Sequence, residues 1–211
     1  MPPRSHIHVI DADVRRRAQI AYEMTRRNLH AEIYDGLEEL GPPLPGSGGV
    51  FVADISVDCG PAALRSLLES NGSSLPFVAY SEQSEPQAIV AAMLNGAVDY
   101  LRWPFDGALL DAALDRLALA GERRTRQQRQ RAEAKAAISE LSERELEVLQ
   151  LIIQGNSSKE IGRKLGISPR TAEIHRGNMM RKLRARSPSD AVRLAITAGL
   201  GSEDDDGAKV A

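Results

Sequence analysis

Two periods of apolar residues run along the chain, and the change from one to the other divides it. In the first half, short β-branched runs lie at His6 to Ile10, Ala31 to Tyr34, Val50 to Ala53, Phe77 to Tyr80 and Asp99 to Leu101. Runs of that length and composition predict strands. Between them apolar residues recur at three and four, predicting helices over Val14 to Asn28, Pro61 to Glu69, Pro86 to Asn95 and from Asp106 onward. Pro61 and Pro86 suit first-turn positions and Gly96 suits a helix stop. Strand–helix alternation predicts a parallel sheet with helices on both faces, and in such sheets chemistry collects where strands end at their carboxyl edge. The segment GPPLPGSGG is too rich in Pro and Gly for an element, so the second helix must be short.

Leu110, Leu114 and Leu117 form a stripe that packs the last helix of this domain on the sheet. GERRTRQQRQRAEAKAA continues with good helix formers and few apolar residues, which reads as an exposed helical linker rather than a coiled-coil stalk, since no apolar heptad is sustained. Only the helical period continues beyond it. Ser142 with Glu145 makes a capping box before Leu146, Leu149, Ile152 and Ile153, and Gly155 stops that helix. Ser157 with Glu160 repeats the box before Ile161 and Leu165, with Gly166 as the stop. Ser168 caps a third helix with Pro169 at its first position, and Ser187–Pro188–Ser189–Asp190 caps a fourth carrying Ala191, Val192, Ala195 and Ile196. Those four are either core or a dimer seam. Two helices joined by Gly166–Ile167–Ser168 have the helix-turn-helix layout.

Composition narrows the class. The 211 residues suffice for one moderate core or two small ones, and 42% hydrophobic with 27% charged residues is a globular balance. Cys59 is the single cysteine, so neither an intrachain disulfide nor a cysteine zinc cluster can form. No apolar run approaches a membrane span and MPPRSHIHVI lacks a signal-peptide layout, so a cytoplasmic protein without membrane contact is expected. The net charge of −2 hides a gradient: −7 to Ala120, +4 over Gly121 to Ser139, +4 over Glu140 to Leu200 and −3 in the tail. This suggests that only the second half meets nucleic acid, although an ordinary solvated surface accounts for the charges equally well. The tail GSEDDDGAKVA is expected to be disordered.

On the third helix Ala172, His175, Met179 and Leu183 form one inward stripe, with His175 a packed core histidine. Arg170, Glu173, Ile174, Gly177 and Arg181 surround the opposite side, with Arg176 and Lys182 as further basic contacts. A major groove admits a helix whose outer face offers hydrogen-bonding and small groups flanked by cations for phosphates. Arg170 and Thr171 lie at the helix N-terminus, where free backbone N–H groups favour phosphate. Gly177 costs about 1 kcal/mol inside a helix; it marks a close approach to another backbone or to DNA, or it is a tolerated surface glycine.

The segment LSERELEVLQLIIQGNSSKEIGRKLGISPRTAEIHRGNMMRKLRARS closely resembles the LuxR/FixJ-type DNA-binding domain, over Ile138 to Leu200. The resemblance implies a four-helix domain that docks its third helix in the major groove and often dimerises through its fourth on inverted half-sites. It places Glu173, Ile174 and Gly177 on the base-facing surface, so that specificity draws on Arg170, Arg176 or DNA shape. Ala172 stands where a valine is usual.

The first half resembles a two-component receiver domain from about His6 to Leu117, carried by VIDAD, VFVADIS, LPFVAYS and GAVDYLRWPF in that order. The resemblance implies a flavodoxin-like fold with a five-stranded parallel sheet. It makes Asp54 the phosphoacceptor position, Ser81 the switch hydroxyl, Tyr100 the switch aromatic, and Trp103–Pro104 the counterpart of a Lys–Pro pair whose bond is commonly cis. Receivers hold Mg²⁺ with two adjacent acids after the first strand, the acceptor carboxylate and a main-chain carbonyl, here that of Ser56. This chain offers Asp11 followed by Ala12, and Asp13 substitutes only if the backbone shifts by one residue. The metal ligands would then be Asp11 and Asp54 alone. Trp103 replaces the lysine that contacts the acylphosphate, and no lysine precedes Lys135. Asp58 takes about the place of a common loop proline. The sole tryptophan, Trp103, is expected beside Asp54.

These residues point to a non-enzymatic, DNA-binding transcription regulator with an atypical receiver, not governed by ordinary Mg²⁺-dependent phosphorylation. The alternative is a conventional response regulator phosphorylated on Asp54 by a histidine kinase. Asp11–Ala12–Asp13 also mimics the DxD of haloacid-dehalogenase-type phosphatases, but the lysine those enzymes need is missing from the whole first domain. No Ser–His–Asp, P-loop or zinc pattern appears. A pure interaction module is disfavoured by the intact DNA-reading helix. The expected domains are a receiver-like domain over 1–120, a helical linker over 121–138, a helix-turn-helix domain over 139–200 and a tail over 201–211. The expected partners are double-stranded DNA, a second copy of the chain, and a sensor kinase or other regulatory protein.

Overall fold

A computed structural model describes residues 6–55 and 59–200. Ser56, Asp58 and the acidic tail from Gly201 lie outside the described residues, and so do the expectations attached to them. The element order is β1 (His6–Ile10), α1 (Val14–Arg26), β2 (His30–Tyr34), α2 (Leu37–Leu40), β3 (Gly49–Ala53), α3 (Pro61–Ser70), β4 (Phe77–Ser81), α4 (Pro86–Leu94), β5 (Asp99–Arg102), α5 (Gly107–Ser139), α6 (Glu143–Ile153), α7 (Ser158–Leu165), α8 (Pro169–Lys182) and α9 (Pro188–Ala198). The chain divides into two compact units between Thr125 and Arg126, inside α5.

The first unit is a five-stranded parallel sheet in the order β2-β1-β3-β4-β5. Every residue of β3 is buried, and its side chains alternate between two cores as the pleat requires. Phe51 and Ala53 join Ile20 and Met24 of α1 and Leu110, Ala113 and Leu117 of α5 on one face. Val50 and Val52 join Leu64 and Leu68 of α3 and Ala92 of α4 on the other. A sheet covered on both sides needs such continuous apolar strands. The order reverses at β1, so β1 and β3 diverge toward the outer strands and leave a crevice at their carboxyl ends. Asp11 and Asp54 follow those two strands directly.

The second unit closes around Val148, Leu149, Ile152, Ile161, Ala172, Met179, Leu183, Ala191 and Ala195, all buried. Its helices start where the sequence supplies caps. Ser142 and Ser157 each form a reciprocal capping box with the Glu three residues on, while Ser168 and Ser187 cap α8 and α9 with Pro at the first turn. Of the fourth-helix residues, Ala191 and Ala195 are core, Val192 is half-buried and Ile196 is 63% exposed.

Candidate functional site

The crevice at β1 and β3 holds a bound charge pair rather than an open acidic site. Asp11 is wholly buried. Its Oδ1 accepts from Arg16 Nη2 at 2.8 Å and from the Asp13 N–H at 2.9 Å. Its Oδ2 accepts from Arg16 Nε and from the Tyr80 hydroxyl at 2.8 Å. The fork of the guanidinium thus spans both oxygens, the strongest geometry for this pair. Arg16 Nη1 continues to Glu82 at 2.7 Å, tying the end of β1 to the loop after β4, and Arg17 donates to the Asp11 carbonyl. The hydrogen bond to Asp11 holds the Arg16 guanidinium protonated beyond its already high ordinary value. Burial, then the Asp11 charge, pushes the Tyr80 hydroxyl well above its usual range, so it stays protonated and donates to Asp11.

Asp13 does not substitute for the acid missing at Ala12. It is the N-cap of α1, accepting from the Arg15 and Arg16 backbone N–H groups at 2.8 and 2.9 Å. Those bonds, that to Arg16 first, hold its carboxyl below the ordinary value. That cap also explains Arg16: it fixes the first turn of α1 so that the residue five beyond Asp11 returns over the strand end. In sequence Arg15–Arg16–Arg17 reads as a solvated charge run, and nothing marks its middle member.

The second half of the crevice is a depression of about 620 Å³ lined by Asp54, Pro61, Ser81, Glu82, Tyr100 and Arg16, among others. The Tyr100 hydroxyl lies 3.0 Å from both Asp54 Oδ2 and Ser81 Oγ, and burial raises its pKa. Ser81 Oγ donates to the Gln83 carbonyl at 2.6 Å. The single Tyr100 proton is shared between Asp54 and Ser81, which gathers the three side chains into one group.

Trp103 requires a correction. It does not line the depression around Asp54. Its ring meets Phe105 edge-on at 4.8 Å and packs against the core under α1 and α5. There it borders a separate groove with Ala18, Tyr22, Arg26 and Asp111. A neutral aromatic gains more from that apolar cluster than from a carboxylate pocket. The Trp103–Pro104 bond is cis.

Among the described residues this crevice offers Mg²⁺ no free acid after β1. The ion demands octahedral oxygen ligands at about 2.0–2.1 Å. Both oxygens of Asp11 are committed to Arg16, whose charge stands where a second cation would have to approach. Position 12 has no carboxylate, and that of Asp13 is spent on a helix cap.

In the second unit, α7 and α8 meet through Gly166, which adopts the left-handed conformation (φ 68°) at the C-cap of α7. Gly162 permits the close approach: a Cβ there would lie 2.9 Å from the Ile167 carbonyl. Ala172, Met179 and Leu183 are buried under α8, with His175 half-buried on the same side. Arg170, Glu173, Ile174, Gly177 and Arg181 are exposed on the other. Ile174, a large apolar residue, is 56% exposed. No described residue outside its own helix turn lies within 4 Å of a Cβ built on Gly177, so no backbone among the described residues accounts for that glycine. Lys159, Arg163 and Lys164 of α7 are also exposed.

Three of the residues expected to bind DNA also have partners within this chain. The Thr171 N–H is capped by Ser168 Oγ at 3.0 Å and so is not free. Arg176 reaches Ser158 at the start of α7 at 3.2 Å. Lys182 ion-pairs with Glu145 at 2.6 Å and donates to the Glu140 carbonyl at 3.1 Å. Glu145 is buried, so Lys182, itself 40% exposed, also neutralises a charge in the helical core.

Residues 139–195 match the family described as bacterial regulatory proteins, luxR family. Over 208 residues the chain is 33% identical to the transcriptional regulatory protein FixJ of Azorhizobium caulinodans, covering 97% of this chain and 98% of that one. It is 31% identical to FixJ of Bradyrhizobium diazoefficiens, covering 95% and 98%. Among solved structures it is similar to the response regulator StyR, with a TM-score of 0.67 at 27% identity over 92% of this chain and 98% of that one. Full-length FixJ from B. japonicum aligns with a TM-score of 0.53 at 31% identity, covering 92% and 97%.

Proposed function

The chain belongs to the family of FixJ transcriptional regulatory proteins, and from that premise we propose a sequence-specific DNA-binding regulator whose receiver is not switched by Mg²⁺-dependent phosphorylation of Asp54. The outer face of α8 is the DNA-reading surface. Glu173, Ile174 and the bare backbone at Gly177 face base edges. Arg170 and Arg181 hold the flanking phosphates, joined by Arg163 and Lys164. The half-exposed Ile174 supports this, since an apolar side chain there gains from a thymine methyl what it loses in water.

One observation carries the reading of the receiver: the Arg16 guanidinium forks onto both oxygens of Asp11. An internal cation neutralises Asp11 there in place of Mg²⁺, and its second arm to Glu82 restrains the loop that follows Ser81. Phosphorylation normally works by recruiting that loop to a new charge, so a loop already tethered to a fixed charge leaves little to recruit. Control then passes to assembly with a second copy or with another protein.

The hydrogen-bonded group of Asp54, Ser81 and Tyr100 favours the second reading, a conventional regulator phosphorylated by a sensor kinase. The two readings separate in a labelling experiment. Incubation with acetyl phosphate and Mg²⁺ followed by mass analysis should leave Asp54 unmodified, and stoichiometric modification that disappears in Asp54→Asn restores the conventional switch. The DNA reading is tested by selecting fragments from a genomic pool. Arg170→Ala should weaken binding to every selected fragment, whereas Ile174→Ala should change which fragments are selected.

A further inference from the structure

A second group of polar side chains lies at the opposite end of the sheet from the crevice, about 16 Å along β1 at the usual rise per residue. His6 and His30 are register partners on the parallel strands β1 and β2, and so are His8 and Glu32 two residues on. Side chains two apart share a face, so the pairing collects three of the chain's four histidines and one carboxylate on one side of the sheet edge. The His6 and His30 rings meet edge-on at 5.2 Å. One ligand atom from each of His6, His30 and Glu32 can be chosen so that all three lie within 4.8 Å of one another.

We propose that His6, His30 and Glu32 form a site for a divalent transition-metal cation of the Zn²⁺ class. Two imidazoles and a carboxylate suit borderline ions and discriminate against Mg²⁺ and Ca²⁺, which take oxygen ligands. Zinc holds such ligands at about 2.0–2.1 Å, hence about 3.4 Å from one another. His30 and Glu32 are exposed, so small side-chain rotations close the remaining gap without moving the strands.

The surroundings are those of a supported site. The Tyr34 hydroxyl donates to Glu32 Oε2 at 2.8 Å, and buried His8 places Nδ1 3.4 Å from the same oxygen. His8 is fixed in turn by the Ser47 carbonyl at 3.3 Å. The Tyr34 bond is of the kind that orients a ligating carboxylate. An ion here would cross-link the edge strand β2 to β1, which Mg²⁺ at the crevice could not do.

The test uses the full chain without a histidine tag. Calorimetric titration with Zn²⁺ should give one ion per chain, Mg²⁺ should give no heat, and Co²⁺ should show ligand-field bands. His6→Ala and His30→Ala should each weaken Zn²⁺ binding by more than about tenfold, and circular dichroism of each variant should match the parent. His175→Ala, in the other unit, should bind as the parent does. Absence of saturable binding, or parental affinity in the His6→Ala/His30→Ala double variant, overturns the site.

Discussion

Replacing Arg16 by Met keeps most of the apolar stem while removing the only cation on the Asp11 carboxylate among the described residues. The structure sets the magnitude. Asp11 is wholly buried and the Arg16 side chain is 14% exposed, so little solvent screens the pair. Breaking a buried pair by removing one partner costs about 3–5 kcal/mol, because the other charge is stranded. Tyr80 and the Asp13 N–H still serve the carboxylate, which places the loss near the lower end, about 3 kcal/mol. The pair to Glu82 adds little, since that side chain is 62% exposed. Trp103 is the only tryptophan and packs on the receiver core, so its fluorescence in a urea titration of the full chain follows that unit alone. Adding Asp11→Asn should recover at least half of the loss, because the stranded charge is then gone. Mg²⁺ should stabilise Arg16→Met and leave the parent unchanged, since only the variant has a free carboxylate to offer. A loss below about 1 kcal/mol for Arg16→Met, or no recovery in the double variant, refutes the reasoning.

Four further outcomes follow. Lys182→Met should lower the stability of the second unit by about 1–2 kcal/mol, discounted for the 40% exposure of Lys182, and should leave the salt dependence of DNA binding nearly unchanged. Burial raises the Glu145 carboxyl, but Lys182 and Ser142 together hold it below its ordinary value of 4.5. Its stabilisation is therefore complete above that pH and lost as pH falls through the lower folded value, and acid titration of the second unit should show this loss shrink in Lys182→Met. Gly162→Ala should cost about 1–3 kcal/mol in thermal unfolding, because the added methyl meets the Ile167 carbonyl. Gly177→Ala, with open space at that position, should stabilise the free protein by up to about 1 kcal/mol yet weaken DNA binding in a gel-shift titration.

How much the sequence disclosed depended on whether a contact is local. β1 begins and ends where its apolar run does, and the first-turn prolines Pro61, Pro86, Pro169 and Pro188 each open a helix. Capping is a matter of three or four residues, and Ser142, Ser157 and Ser168 cap as their spacing requires. The same rule, applied once more, would have shown the Thr171 N–H to be taken. Contacts between distant segments were hidden. Arg16 is one cation in a run of three until the phase of α1 against β1 is known. Lys182 looks like any basic residue at a helix end until Glu145, thirty-seven positions earlier, is found buried beside it. The family slot of Trp103 does not set its side-chain direction, because the indole follows the apolar surface offered by Phe105. The His6–His30 pair has no sequence pattern, since only the register of β1 on β2 brings the two together.

An unswitched receiver is put to the proof by the affinity of the full chain for a selected operator fragment, measured by fluorescence anisotropy with and without acetyl phosphate and Mg²⁺. Binding should be salt-sensitive, with log K falling linearly in log salt, and the curve should be the same in both conditions for the parent and for Asp54→Asn. A tenfold or greater gain in affinity on adding the phosphoryl donor, present in the parent and absent in Asp54→Asn, contradicts it.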